Sequence, residues 1–383
     1  MSQPAPSSTP PPAAPNRAKN WITPVTLLFG LYAIFRTVFS IYSLARDAIF
    51  GHDLYVQYEP WLLLIHRNTA AEALQTLTYL PHTWILLTPL YALGWHAAEA
   101  IWFVINFLLH IYIWHTLSVL TGLRRDQRLL FLALYFSFVS VGVSIALGNP
   151  VTACMAATVA AYASANAGRS GIFFALASIK HSIIYPVYLK LVLQRSVTKI
   201  LPSILFIGLS LLAVMWWAHI GPMDLLSGLR AGTAQVNFWM HENQSICLVP
   251  LLQKLLPASL VQIVTWTLWL ALFAISLAFI KDRIAQLAAL LLIGLLPMHH
   301  RSYDLIVATP LIALLIRQNN LLDPCLVTLT LCGLWDTLCN HFQHHHPFVA
   351  ACNEVYYPLL ILILFLITFL VGRRPQPTQA GPL

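Results

Sequence analysis

Long apolar runs separated by short polar stretches organise this chain. Runs near the roughly 20 residues that a helix needs to cross a bilayer lie at about 21–43, 98–121, 127–147, 150–168, 200–218, 259–280, 284–298, 303–317, 321–338 and 355–372. In hydrocarbon every backbone polar group must be satisfied internally, so such runs predict helices. Two stretches depart from the pattern. Residues 82–94 are apolar but short and carry Pro89, which predicts an interfacial or re-entrant helix. Residues 171–193 are long enough for one span, yet Lys180-His181 interrupts them and Tyr185-Pro186 follows. Pro186 has no amide hydrogen and breaks or kinks a helix.

Basic residues then orient the runs. Arg17/Lys19, Arg124/Arg125/Arg128, Arg169, Arg195/Lys199, Lys281/Arg283, Arg317 and Arg373/Arg374 fall on one face if 82–94 does not cross and 171–193 folds as a helical hairpin. That arrangement predicts about 12 membrane segments with cytoplasmic N and C termini. Residues 1–20, rich in Pro, Ser and Ala, and residues 373–383 read as disordered cytoplasmic tails around a membrane domain at 21–372. Arg17 and Lys19 before the first run suit an uncleaved anchor. The two largest polar loops, 44–81 and 219–258, face outward, together with Gly148-Asn149-Pro150, Lys180-His181, His299 to Asp304 and the run Gln343-His344-His345-His346.

Composition narrows the class. With 58% hydrophobic and 9% charged residues and a mean hydropathy of +0.73, the chain has too little polar surface for a soluble domain of this size. The fold class is an all-α polytopic membrane protein. Its net charge of +8 comes from short clusters at span ends, which signal topology and not nucleic acid. Six cysteines show no C-x-x-C pair and read as small core residues, with Cys247 and Cys352 able to meet on the outer face. There is no P-loop, no dinucleotide-binding glycine fingerprint and no H-E-x-x-H, so nucleotide-driven pumping and zinc proteolysis lack support.

Candidate chemistry sits in the outward stretches. Asp53 is a carboxylate beside an apolar interface, suited to accept a proton from an attacking hydroxyl, whereas Asp47 is placed to cap the first span. Lys180, inside an apolar segment, either snorkels to headgroups or meets an anion such as a lipid phosphate. His299, His300 and Arg301 form a cationic cluster able to stabilise a leaving phosphate or to attract headgroups. Tyr303 suits an interfacial anchor, and Asp304 is spaced to pair with Arg301 at i, i+3. The histidines at 344–346 lack helical metal-ligand spacing and read as a solvated loop, so no metal is expected. Asn243-Gln244-Ser245 matches a glycosylation acceptor only in a secretory context.

Taken in order, Gly51-His52-Asp53-Leu54-Tyr55, Tyr79-Leu80-Pro81, Gly148-Asn149, Lys180 after Gly171, Asn243-Gln244-Ser245 and His299-His300 with Tyr303 resemble glycosyltransferase family 87. These are the polyprenyl-phosphate-mannose-dependent mannosyltransferases of the GT-C superfamily, and the likeness runs from about residue 25 to 320. The chain has Gly148-Asn149 where the family usually shows Gly-Gln, Tyr79-Leu80-Pro81 for Tyr-Pro-Pro, and His181 where a proline commonly follows the lysine. The resemblance implies a GT-C-like fold and inverting transfer of one sugar, mannose-like or pentose, from a polyprenyl-phosphate donor to a glycan or glycolipid hydroxyl. Asp53 resembles the catalytic base; His300 or its neighbour His299 resembles the histidine near the donor phosphate, and Lys180 a further phosphate contact. Asn149, Asn243, Arg301 and Tyr303 complete the expected donor-binding set. No metal or other cofactor is implied, and the partners are the lipid-linked donor, the acceptor and membrane lipids, at the outer face of a bacterial inner membrane. A transporter or flippase of lipid-linked sugars, or a glycan polymerase or ligase, is the alternative.

Overall fold

The computed structural model describes residues 17–46, 50–65, 79–80, 82–228, 230–231, 245–318, 321–335 and 347–373. The regular elements among them are helices: α1 (Arg17–Arg46), α2 (His52–Ile65), α3 (His82–Tyr91), α4 (Trp95–Leu120), α5 (Arg125–Phe136), α6 (Val139–Leu147), α7 (Val151–Ala163), α8 (Ala167–Ala177), α9 (His181–Leu193), α10 (Val197–Ala218), α11 (Val249–Leu255), α12 (Ala258–Phe279), α13 (Arg283–Gly294), α14 (Thr309–Arg317), α15 (Leu322–Leu331) and α16 (Pro347–Arg373). Tight 3-10 turns at Ser178–Lys180 and Ser302–Ala308 lead into α9 and α14. Six stretches are long and apolar enough to cross a membrane, or seven if the bent pair α5–α6 counts as one span. Helix α1 leaves large apolar side chains open along its length, among them Leu28 at 67% and Leu31 at 69% exposure, which suits contact with lipid tails. The chain is thus an all-α protein of multi-pass membrane type.

Several runs that hydropathy joins are broken. Residues 127–147 form two helices bent by 63°. At the bend Ser137 Oγ donates to the carbonyls of Ala133 and of Phe29 on α1, opening the helical ladder where the two segments meet. Apolar residues on α13 and α14 are buried by neighbouring helices, so hydropathy alone cannot separate them from lipid-facing spans.

Residues 167–193 satisfy a length criterion for one span, but the chain doubles back. The Tyr188 hydroxyl donates to the Phe174 carbonyl, although 14 residues of straight helix would hold them ~21 Å apart. At the base of α8, a Cβ on Gly171 would lie 2.6 Å from the Thr198 carbonyl oxygen at the start of α10. Only glycine allows that approach, and it requires α9 to return towards the base of α8. The expected hairpin is therefore present, with Lys180 at its tip in a non-helical conformation (φ −125°, ψ 71°).

The tip leaves carbonyls without helical partners, and α3 supplies them. His82 Nε2 lies 2.8 Å from the Ser178 oxygen, and Thr83 Oγ1 donates to Ile179 at 3.2 Å. Helix α3, the short element at 82–94, spans only ~15 Å, about half the hydrocarbon thickness. It runs from the tip towards a smaller apolar cluster of Leu54, Trp61, Trp84, Tyr91, Trp102 and Val214. The larger cluster gathers α5–α9, α12–α14 and α16 around residues such as Phe131, Met155, Ile183 and Leu291. The hairpin tip lies on the seam between the two.

Cys154, Cys247, Cys325, Cys332 and Cys352 are free thiols, so Cys247 and Cys352 do not form a bond. Asp47, Asn243, the 341–346 histidine run and both terminal tails from 1–16 and 374–383 fall outside the described residues.

Candidate functional site

Four interruptions of helical structure converge on the seam. They are the first turn of α2, the α6–α7 turn, the tip of the α8–α9 hairpin and the segment between α13 and α14. Residues 44–81 read as a polar loop, yet Leu54, Gln57, Pro60, Trp61 and Leu64 line one buried face of a helix. Asp53 therefore sits in the first turn of α2, held by packing.

Two glycines set that turn. Gly51 adopts φ +69° and donates its N–H to the Ala146 carbonyl at 2.8 Å, tying the start of α2 to the end of α6. Gly148 ends α6 with φ +70°, in the left-handed region that side chains disfavour. A Cβ there would stand 3.1 Å from Trp102 Cδ1 and 3.2 Å from Leu54 Cβ. Trp102 Nε1 donates to the Gly148 carbonyl at 2.8 Å, fixing the next residue, Asn149.

Asn149 bridges the site. Its Nδ2 donates to Asp53 Oδ2 at 2.6 Å, while its Oδ1 accepts from Lys180 Nζ at 3.1 Å and from the Val151 N–H at 2.9 Å. A carboxylate only accepts and an ammonium only donates, so the amide has one orientation here. Lys180 Nζ also donates to Asp304 Oδ1 at 2.6 Å and lies 5.2 Å from the Tyr303 ring centroid. His300 Nδ1 meets Asp304 Oδ2 at 2.9 Å. Tyr303 hydrogen-bonds to Asp53, and Tyr79 to Asn149. The His300 segment is pinned from outside, because the Ile246 N–H donates to the His300 carbonyl at 2.9 Å and Leu248 to Leu296 at 2.9 Å.

The two carboxylates have opposite electrostatics. Burial raises Asp53 above the usual carboxylate range, against the lowering effects of Asn149, Lys180, Tyr303 and Arg301. Burial would raise Asp304 too, but Lys180 and His300 outweigh it and hold Asp304 at about 2. Asp304 is 2% exposed and held ionised by its partners, whereas Asp53 is half-buried and takes up a proton more readily than an ordinary carboxylate. His300 is also closed off, yet its Nε2 has no partner. Burial and the neighbouring cations lower half-buried His299 to about 4, and its Nδ1 likewise has no partner.

Of the residues singled out in the sequence, Asp53, Asn149, Lys180, His300 and Tyr303 form one connected network, and Arg301 acts on Asp53 from the same segment. Lys180 does not snorkel: its anion is Asp304. Tyr303 packs under Lys180 and bonds Asp53 in place of anchoring at a headgroup interface. Asp304 meets Arg301 through its backbone, N–H to carbonyl at 2.8 Å, while its side chain holds Lys180 and His300. Its central place was missed, although an isolated aspartate at the head of the apolar run 305–308 demands a buried cation, and Lys180 in another apolar run was one.

Comparison with protein-family models, with curated proteins and with solved structures finds no match to this chain.

Proposed function

We propose that this protein is an inverting membrane glycosyltransferase of GT-C type, resembling family 87, with about 12 membrane segments counted with short arms. In this reading it moves one sugar from a polyprenyl-phosphate donor to a glycan or glycolipid hydroxyl at the outer face of a bacterial inner membrane. The supporting observation is the union, through Asn149, of a half-buried carboxylate, Asp53, and the buried ion pair of Lys180 with Asp304. Asp53 takes the proton of the acceptor hydroxyl as its oxygen bonds to the anomeric carbon. The anomeric carbon–phosphate oxygen bond breaks, and the departing polyprenyl phosphate is stabilised from the side of Lys180, His299, His300 and Arg301. Asp304 holds the His300 ring through Nδ1 and leaves Nε2 uncommitted among the described residues. The decisive test is Asp53→Asn with a synthetic polyprenyl-phosphate sugar. Turnover falls about 10²–10⁴-fold if Asp53 is the general base; a variant as active as wild type would sink the assignment.

The hairpin tip gives a second reading some support. Its arms of 11 and 13 residues reach only ~16–20 Å, so Lys180 and Asp304 sit at half-helix ends deep among the helices, as in many transporters. A flippase of lipid-linked sugars makes no new glycosidic bond and a polymerase or ligase transfers a block, so product mass separates the three.

A further inference from the structure

At the other end of the α8–α9 hairpin the charges do not balance. Lys190, in the last turn of α9, is 7% exposed, so most of its side chain is packed among the helices and only a small part of it meets solvent. Its ammonium stands over a ring: Nζ lies 5.7 Å from the Tyr162 centroid. Arg283 lies over the same ring, with Cζ 5.1 Å from the centroid, and donates through Nη2 to the Tyr162 carbonyl at 2.9 Å. Lys199, at the start of α10, has its Cα 3.2 Å from where a Cβ on Gly171 would stand at the base of α8, and so adds positive charge at the same end of the hairpin.

Among the described residues no carboxylate answers these three cations. Asp282, the chain neighbour of Arg283, is committed elsewhere: it caps α13 by accepting from the Ile284 and Ala285 N–H groups at 2.8 Å each, and pairs with Arg317 at 2.7 Å. One aromatic face offsets only part of the desolvation of a buried ammonium, and two cations on one ring repel each other. The arrangement is completed by an anion with several acceptor oxygens.

We infer that Lys190, Arg283 and Lys199, gathered around Tyr162, form a phosphate-binding site separate from the Asp53–Lys180 network. A phosphate group accepts the arginine fork and both ammonium groups at once. Basic pockets between helices at a membrane edge take phospholipid headgroups by the same chemistry that takes free phosphate. The inference does not rest on the proposed transferase activity.

The test follows thermal unfolding of the full chain in an uncharged detergent at fixed ionic strength, titrated separately with inorganic phosphate, short-chain phosphatidic acid and short-chain diacylglycerol. Wild type is expected to show a saturable rise in unfolding temperature with phosphatidic acid, with inorganic phosphate, or with both, and none with diacylglycerol. A response to phosphatidic acid alone assigns the site to a headgroup; a response to inorganic phosphate assigns it to the free anion. Lys190→Met, an apolar replacement of similar length, is expected to raise the half-saturating concentration at least tenfold. Arg283→Gln, at an exposed position, gives the same result where Lys190→Met folds poorly. Asp53→Asn keeps the wild-type response. Equal responses in wild type and both variants, an equal rise with diacylglycerol, or no rise with either phosphate probe overturns the inference.

Discussion

Removing Asp304 is the sharpest perturbation of the seam. Asp304→Leu takes away the anion that Lys180 holds at 2.6 Å and His300 at 2.9 Å, leaving a buried ammonium with Asn149 Oδ1 at 3.1 Å as its remaining acceptor. Breaking a buried ion pair from one side costs about 3–5 kcal/mol, because the abandoned charge stays out of water. Removing both charges leaves neither member of the pair unanswered, although His300 Nδ1 loses its partner, so Lys180→Met with Asp304→Leu is expected to recover most of the loss and to fall within about 1–2 kcal/mol of wild type. At roughly 2 °C per kcal/mol for a large chain, Asp304→Leu lowers the unfolding temperature by roughly 6–10 °C. Lys180→Met alone is milder, since Asp304 keeps its 2.9 Å contact with His300 Nδ1. The assay is helical circular dichroism of the detergent-purified protein during heating. Additive losses in the double variant, or Asp304→Leu unfolding with wild type, would refute the reasoning. The pH dependence has a definite sign. The folded value of Asp304, about 2, lies below its ordinary 3.8, so its contribution is complete above about 4 and is lost as pH falls towards 2. The double variant lacks that loss.

Further outcomes follow from the same geometry. Under the proposed reaction Asp53 must be ionised to act as a base, and its value is raised by burial, so the proposed sugar transfer is expected to rise with pH through a midpoint above 3.8. Tyr303→Phe removes a bond that lowers Asp53 and moves this midpoint upward; a downward shift in the pH–rate profile counts against the assignment. Gly148→Ala forces a side chain into a left-handed turn against Trp102 and Leu54, and is expected to cost about 1–2 kcal/mol and most activity. Gly208→Ala on α10, where nothing lies within 4 Å, serves as the control and leaves both unchanged. His82→Ala strips partners from the hairpin tip at about 1–3 kcal/mol, read as faster amide exchange over residues 178–182.

Much of the site was legible because apolar surroundings make polar residues conspicuous. Lys180 and Pro186 marked an interruption in an apolar run, the one-sided placement of the basic clusters turned it into a hairpin, and motif order selected Asp53, Asn149, the pair His299-His300 and Tyr303. What sequence could not supply is which interruption faces which. Asp304 has Arg301 one turn away in sequence, and local spacing offers that partner first; tertiary packing brings Lys180 across 124 residues in its place. Helix boundaries were blurred for a different reason. Residues 127–147 and 303–317 are as apolar as true spans, but they are shielded by protein, where a bend or a 3-10 turn is satisfied by neighbours such as Phe29.

The carboxamide of Asn149 has unlike ends, and that gives the seam a direction. Its amino end is spent on Asp53 and its oxygen on Lys180, so the carboxylate side and the ammonium side cannot exchange places. Under the proposed reaction, a sugar held between them has its nucleophile on one flank and its departing group on the other before any bond changes. Asn149→Asp, equal in size but with two like ends, would erase that vector and set a second carboxylate against Asp53.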